Sequence, residues 1–276
     1  MIVDSQLHLW GAPSSRRPWP PGTSALTHRA EPYDAPELLR EMDRAGVDRA
    51  VLVPPSWEGD RNDLALAAAE RHPDRFAVMG RLDLTDPARA LALLEGWTEQ
   101  RGMLGLRLTF HRSPHRDLLT TGAMDWLWHA LESADIPVAV YPPGLLPLVG
   151  AVAARHPGLR LTVDHLALPT DVAGPAAFAE LDRLLALAVH PRVAVKASCL
   201  PAASAEAYPF RDIDEPLRRV FDAFGPDRVF WGSDLTRLPC AYRTCVDHVA
   251  RLPFLSEKDT ERVLGPALLD WLGWPG

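Results

Sequence analysis

Eight short apolar runs rich in β-branched residues recur along the chain, each followed by a stretch with helical spacing. This alternation restricts the fold more than any other feature. The runs are Ile2 to Trp10, Arg49 to Pro54, Phe76 to Leu82, Leu104 to Phe110, Val138 to Tyr141, Leu159 to Leu166, Val193 to Ser198 and Val229 to Ser233. Helical patterns run from about Pro36 to Ala45, Asn62 to Arg71, Pro87 to Gln100, Met124 to Ala134, Leu146 to Arg155, Ala176 to Val189 and Glu215 to Phe224. Two more lie near Tyr242 to Arg251 and Glu257 to Leu272. Gly46 is placed to stop the first helix, and Asp86 with Pro87 reads as the N-cap and first residue of the third. Parallel strands require crossover helices, and these crossovers are right-handed. Eight such units close a barrel, whereas five or six leave an open, doubly wound sheet. Because no Gly-rich dinucleotide or phosphate loop follows any run, the pattern predicts an α/β chain forming a single (β/α)₈ barrel over residues 1–276.

The 276 residues suit that architecture, and 47% hydrophobic with 24% charged residues is a soluble, core-forming balance. A net charge of −7 without a basic stripe argues against a nucleic-acid partner. Cys199, Cys240 and Cys245 are odd in number and show no zinc-finger spacing, so they read as structural thiols in a reducing compartment. No run approaches the roughly 18 apolar residues of a membrane helix, and no signal-peptide pattern opens the chain. The expected location is the cytoplasm, with self-association left open.

Barrel sites gather at the C-terminal ends of the strands. Those ends carry an unusual density of polar residues: Asp4, Gln6 and His8; Ser56, Trp57 and Glu58; Arg81 and Asp83; Arg107, Thr109 and His111; Tyr141; Asp164 and His165; Lys196 and Ser198; Ser233 and Asp234. Burying charge is costly unless it is paired or used, so the concentration is informative. Two-residue periodicity puts Gln6 and His8 on one side of the first strand, with His165 and Asp234 at matching heights on the sixth and eighth. His8, His165 and Asp234 could hold one divalent metal or serve as a metal-free acid/base set. The Pro-rich segment 11–36, which holds Arg16, Arg17, Trp19 and His28, would lie on the catalytic face as a lid or a solvated connector.

Val3-Asp4-Ser5-Gln6-Leu7-His8-Leu9-Trp10 resembles the HxH strand that opens amidohydrolase-superfamily barrels. Val163-Asp164-His165-Leu166, Val195-Lys196-Ala197-Ser198 and Trp231-Gly232-Ser233-Asp234 resemble that family's sixth, seventh and eighth strands, and His72 to Phe76 and Gly105 to Arg107 also match. The resemblance spans almost the whole chain. It is nearest to the branch that holds sugar lactonases, 2-pyrone-4,6-dicarboxylate lactonase and non-oxidative decarboxylases. Two departures matter: Gln6 replaces the first histidine of HxH, and the fifth strand offers Tyr141 but no lysine to bridge metals. A binuclear centre is therefore not expected. The resemblance leans towards no required cofactor, the alternative being one Zn²⁺ or Mn²⁺ on His8, His165 and Asp234.

The resemblance implies hydrolysis of a lactone or related cyclic ester or amide, on a small, cyclic, carboxylate-bearing substrate. Asp234 would be the general base, a role that works best if burial raises its pKa towards neutrality, with His165 and His8 polarising the carbonyl or stabilising the oxyanion. Arg107, with Arg81 or with Arg16 and Arg17, would clamp a substrate carboxylate. Lys196 would be a second anion anchor or an ion-pair partner. Trp10, Trp19 and Trp57 would wall an apolar ring or belong to the core, and Gln6, Tyr141 and Ser198 would complete the substrate site. The alternatives are non-oxidative decarboxylation, a biosynthetic cyclisation or dehydration, and a degenerate barrel that binds without turnover.

Overall fold

The computed structural model describes residues 1–275. Eight parallel strands form one sheet in chain order: β1 (Val3–Leu7), β2 (Arg49–Leu52), β3 (Phe76–Gly80), β4 (Met103–Thr109), β5 (Val138–Tyr141), β6 (Leu161–Val163), β7 (Val193–Ser198) and β8 (Val229–Gly232). β8 returns to β1, so the sheet curls into a nearly closed (β/α)₈ barrel. The start and stop signals read in the sequence act as expected. Asp86 accepts from the Arg89 backbone N–H at 3.1 Å with Pro87 opening the helix, and Gly46 ends the helix Ala35–Ala45 at φ 73°.

Two apolar layers hold the barrel. The larger fills the space between strands and helices, with Leu52, Phe76, Leu106 and Trp231 among its buried members. The smaller lies inside the barrel, where Val3, Val51, Met79 and Phe230 meet Leu268 and Leu272 of the helix Pro266–Leu272. That helix plugs the N-terminal end, leaving the opposite end for polar groups.

The β1–β8 seam is closed chiefly by one side chain. Asp4 accepts from the backbone N–H of Gln6 (2.9 Å) and of Ser233 (2.9 Å), and from the hydroxyls of Ser233 (2.5 Å) and Tyr242 (2.7 Å). The Asp234 N–H donates to the Gln6 carbonyl at 3.0 Å just above. Asp4, read in the sequence as one of the strand-end polar residues, therefore works beneath the mouth and fixes Gln6 and Asp234 relative to each other.

Several strands are shorter than the apolar runs suggest, and the sixth differs most. β6 stops at Val163 because His165, Leu166 and Ala167 have φ of 53°, 52° and 57°. The segment expected to be one helix from Ala176 to Val189 is instead two 3-10 turns around the short helix Leu181–Leu185. A further helix, His115–Thr121, lies in what read as loop.

His248, on the helix Tyr242–Ala250, is buried edge-on to Phe210 at a ring separation of 5.3 Å. Neither ring nitrogen has a partner among the described residues. Burial pushes its pKa down from 6.5 to about 4. Between those values the unfolded chain binds a proton that the native state refuses, so this contribution is complete above pH 6.5 and is lost as pH falls towards 4. His248→Leu is expected to flatten the acid limb of the stability curve and raise Tm at pH 5 relative to wild type. Thermal melts of both proteins from pH 5 to 8 test this, and parallel curves would contradict it.

Candidate active site

The open end of the barrel holds a cavity of about 240 Å³ lined by Gln6, His8, Trp57, Arg81, Arg107, Tyr141, His165 and Asp234, all expected from the sequence. It is also lined by Leu26, His28, Thr109, His111, Arg112 and Arg237.

Each central group is placed by a local feature of its strand end. The β1–β2 register shifts between Asp4 and Leu7, so Val3 joins the inner apolar cluster while Gln6 and His8 line the mouth. His165 and Asp234 lie just past β6 and β8, not on them, in left-handed conformations at φ 53° and 51°. Such backbone costs energy in non-glycine residues and concentrates where a side chain must be aimed.

His8 Nδ1 faces the Val53 carbonyl oxygen at 2.6 Å and must carry a proton there. Its Nε2 lies 3.1 Å from Asp234 Oδ1, a contact that is a hydrogen bond only when Nε2 carries a proton as well, so the His8–Asp234 pair is an imidazolium–carboxylate pair. His165 Nδ1 bonds the Ser198 hydroxyl at 2.8 Å, and its Nε2 lies 3.9 Å from Asp234 Oδ2. The fully buried Asp234 carboxylate thus stands between two imidazoles.

The expectation that burial lifts Asp234 towards neutrality is corrected. Burial alone would raise it, but the hydrogen bond and charge of His8, then His165 and His28, hold it well below the ordinary carboxylate range. Burial pushes His165 down to about 4 against the pull of Asp234 and Asp164. Burial likewise takes His28 and His111 to about 4, so near pH 7 these rings are neutral. Tyr141 is raised by burial to about 12, and its hydroxyl donates to the Leu168 carbonyl at 2.6 Å.

Several expected contacts fall elsewhere. Lys196 does not face the cavity; its Nζ lies 3.1 Å from Asp164 Oδ1 and donates to Gln6 Oε1 at 3.0 Å. Arg107 Nε holds the other Asp164 oxygen at 2.7 Å, so the ion-pair reading of Lys196 is the one realised. Ser198 sits behind His165 as its hydrogen-bond partner. Trp10 is core, bridging to Tyr33 and meeting Trp57 edge-on, and Trp19 packs against the core outside the cavity. Of the expected tryptophan wall only Trp57 faces the cavity. Arg17 clamps Glu58 (3.2 Å) and Asp63 and pins the segment after β1; neither it nor Arg16 lines the cavity.

The same loop delivers Leu26 and His28, whose Nδ1 meets Thr236 Oγ1 at 2.7 Å. Sequence reasoning placed His28 and His111 on this face without assigning a role, and it missed Arg112 and Arg237. A signal existed for Arg237: it lies three residues past Asp234, within one turn of it. Four arginines now face one cavity. Arg107 shares Asp164 with Lys196, Arg81 reaches Asp60 at 3.4 Å, Arg237 is 3.8 Å from Asp234, and Arg112 has no carboxylate partner among the described residues. The cavity favours an anion.

The residues fit a metal poorly. Among the described residues no group of three or more His, Cys, Asp or Glu is arranged to hold one. His8 and Asp234 are bonded to each other. Because the Lys196 ammonium can only donate, it takes Gln6 Oε1 and leaves the amide N–H₂, not a lone pair, as the free end of that side chain.

Comparison with known proteins places the chain in a family. The amidohydrolase family profile matches residues 3–267. An L-fucono-1,5-lactonase of Burkholderia ambifaria is 32% identical over 275 residues, covering 96% of this chain and 89% of the relative. A 4-sulfomuconolactone hydrolase of Rhizobium radiobacter is 26% identical over 239 residues, covering 84% of this chain and 74% of that protein. The crystal structure of an amidohydrolase from Burkholderia multivorans with bound zinc superposes with a TM-score of 0.81 at 24% identity, covering 100% of both chains.

Proposed function

The chain belongs to the amidohydrolase family, and from that premise we propose that it is a hydrolase opening a lactone that bears an anionic substituent. The observation that carries this reading is the buried His8–Asp234–His165 array set in a cavity faced by four arginines.

Asp234, ionised throughout the working pH range, takes a proton from water as the water oxygen bonds to the lactone carbonyl carbon. The ring C–O bond then breaks, and the ring oxygen leaves as an alcohol with the proton returned from Asp234. The new carboxylic acid ionises, and its carboxylate joins the substituent among the arginines, where planar guanidinium groups suit it. The neutral imidazole of His165 borders the reacting carbon, and Trp57 and His28 close the apolar side. The named relatives act on a sugar lactone and a sulfonated lactone, which supports the ring and the charge respectively.

A divalent metal is found in a structural relative, bound there as zinc. Here an incoming ion would have to part His8 from Asp234 and face the Gln6 N–H₂, so we assign the chemistry to the side chains. Decarboxylation, which leans on a metal as electron sink, is disfavoured for the same reason.

The test is proton release from L-fucono-1,5-lactone and 4-sulfomuconolactone, with and without a strong chelator. Turnover is expected, with the lower KM for the anionic lactone and activity unchanged by chelation. Loss on chelation with recovery on adding zinc or manganese would replace this mechanism with a metal-supported one.

A further inference from the structure

Gln6 is the one deviation from the HxH pattern that the proposed mechanism leaves unused, and its surroundings give it a definite orientation. The side chain is fully buried yet lines the cavity. Its backbone N–H is held by Asp4 at 2.9 Å, and its Oε1 accepts from Lys196 Nζ at 3.0 Å. An ammonium group has protons to give and no lone pair to receive one, so the amide cannot be turned over without setting N–H₂ against NH₃⁺. Nε2 is left without a partner among the described residues. A buried donor without a partner is costly, and in a native site such a group points to a bound acceptor.

We propose that the Gln6 amide is the oxyanion donor of this enzyme: Nε2 donates to the substrate carbonyl oxygen and holds the negative charge that gathers there when water adds. The inference rests on the lactone-hydrolase reading and deepens it by assigning the group that polarises the carbonyl. Lys196 and Asp164 lie behind the amide and keep its N–H₂ end free, and the ammonium withdraws charge through Oε1. The amide thus does with a preorganised dipole what a cation would do at the same place.

Two variants test the assignment on the full-length enzyme with L-fucono-1,5-lactone and 4-sulfomuconolactone. Gln6→Met keeps the length and removes the donor. Gln6→Glu keeps the shape and the Lys196 contact while presenting oxygens only, and it covers the case in which the methionine variant does not fold. With Tm near the wild-type value, kcat is expected to fall about 10²- to 10³-fold in both, with KM for the uncharged L-fucono-1,5-lactone changed less than threefold. Retention of kcat within threefold in a folded variant would overturn the assignment while leaving the hydrolase reading intact. A wild type that opens neither lactone would instead remove the reading itself, and the assignment with it.

Discussion

Asp234→Asn is expected to lower kcat by about 10³- to 10⁴-fold, a barrier increase of roughly 4–5 kcal/mol, with little change in Tm. The large loss in rate follows from chemistry. Asparagine cannot take the water proton, and its amide cannot replace the charge that faces His8 at 3.1 Å and His165 at 3.9 Å. The small loss in stability follows from backbone and shape. Asp234 sits at φ 51°, a conformation that asparagine tolerates better than most residues, and its backbone N–H bond to the Gln6 carbonyl is untouched. Steady-state kinetics on a lactone the wild type opens, beside a thermal melt, separate the two effects. A kcat within tenfold of wild type would take the proton-accepting role away from Asp234.

Asp164→Leu is expected to produce the largest loss of stability, about 3–5 kcal/mol, or a fall in Tm of roughly 10 °C for a chain of this size. Asp164 is fully buried and is the anion shared by Arg107 at 2.7 Å and Lys196 at 3.1 Å. Removing it strands two buried cations in a medium that solvates neither well. Burial opposes the charge on Asp164, but Lys196 and Arg107 outweigh it and hold its pKa below the usual carboxylate value. Its contribution is therefore present above the unfolded value and is lost as pH falls through the folded one. Adding Lys196→Met to Asp164→Leu should restore part of the loss, because one stranded charge disappears with its partner. Denaturation of the wild type and the two variants at pH 7.5 tests this. A single variant within 2 °C of wild type would show that the cluster contributes little.

The arrangement explains why the same cluster matters to function. Asp164 neutralises part of the charge on Lys196, Lys196 fixes Gln6, and Arg107 is held on the remaining oxygen while facing the cavity. A structural ion network thus sets the direction of two groups that line the cavity. Asp4 does the corresponding work on the other side of Gln6, at the seam where β8 meets β1.

Local patterning was sufficient for the barrel. Eight apolar runs separated by helical spacing leave few ways to bury the apolar faces, and Asp86, Pro87 and Gly46 act through contacts within a few residues of themselves, so their roles can be read along the chain. The strand-end rule also brought Gln6, His8, Trp57, Arg81, Arg107, Tyr141, His165 and Asp234 to one cavity, because a barrel sends every strand end to the same face. What the sequence could not show is which polar residue spends its charge on a neighbour and which keeps it for a ligand. Lys196 and Asp164 look as available as Arg107 until β6 and β7 are placed side by side and the two are found 3.1 Å apart. Trp10 looks as available as Trp57 until Tyr33 covers it. His28 and Arg237 reach the cavity only through the path of loops, and Asp234 is kept ionised by imidazoles that lie hundreds of ångströms of extended chain away from one another. Composition and periodicity act over a few residues, whereas pairing, burial and pKa are set by atoms that only the closed barrel brings within hydrogen-bond distance.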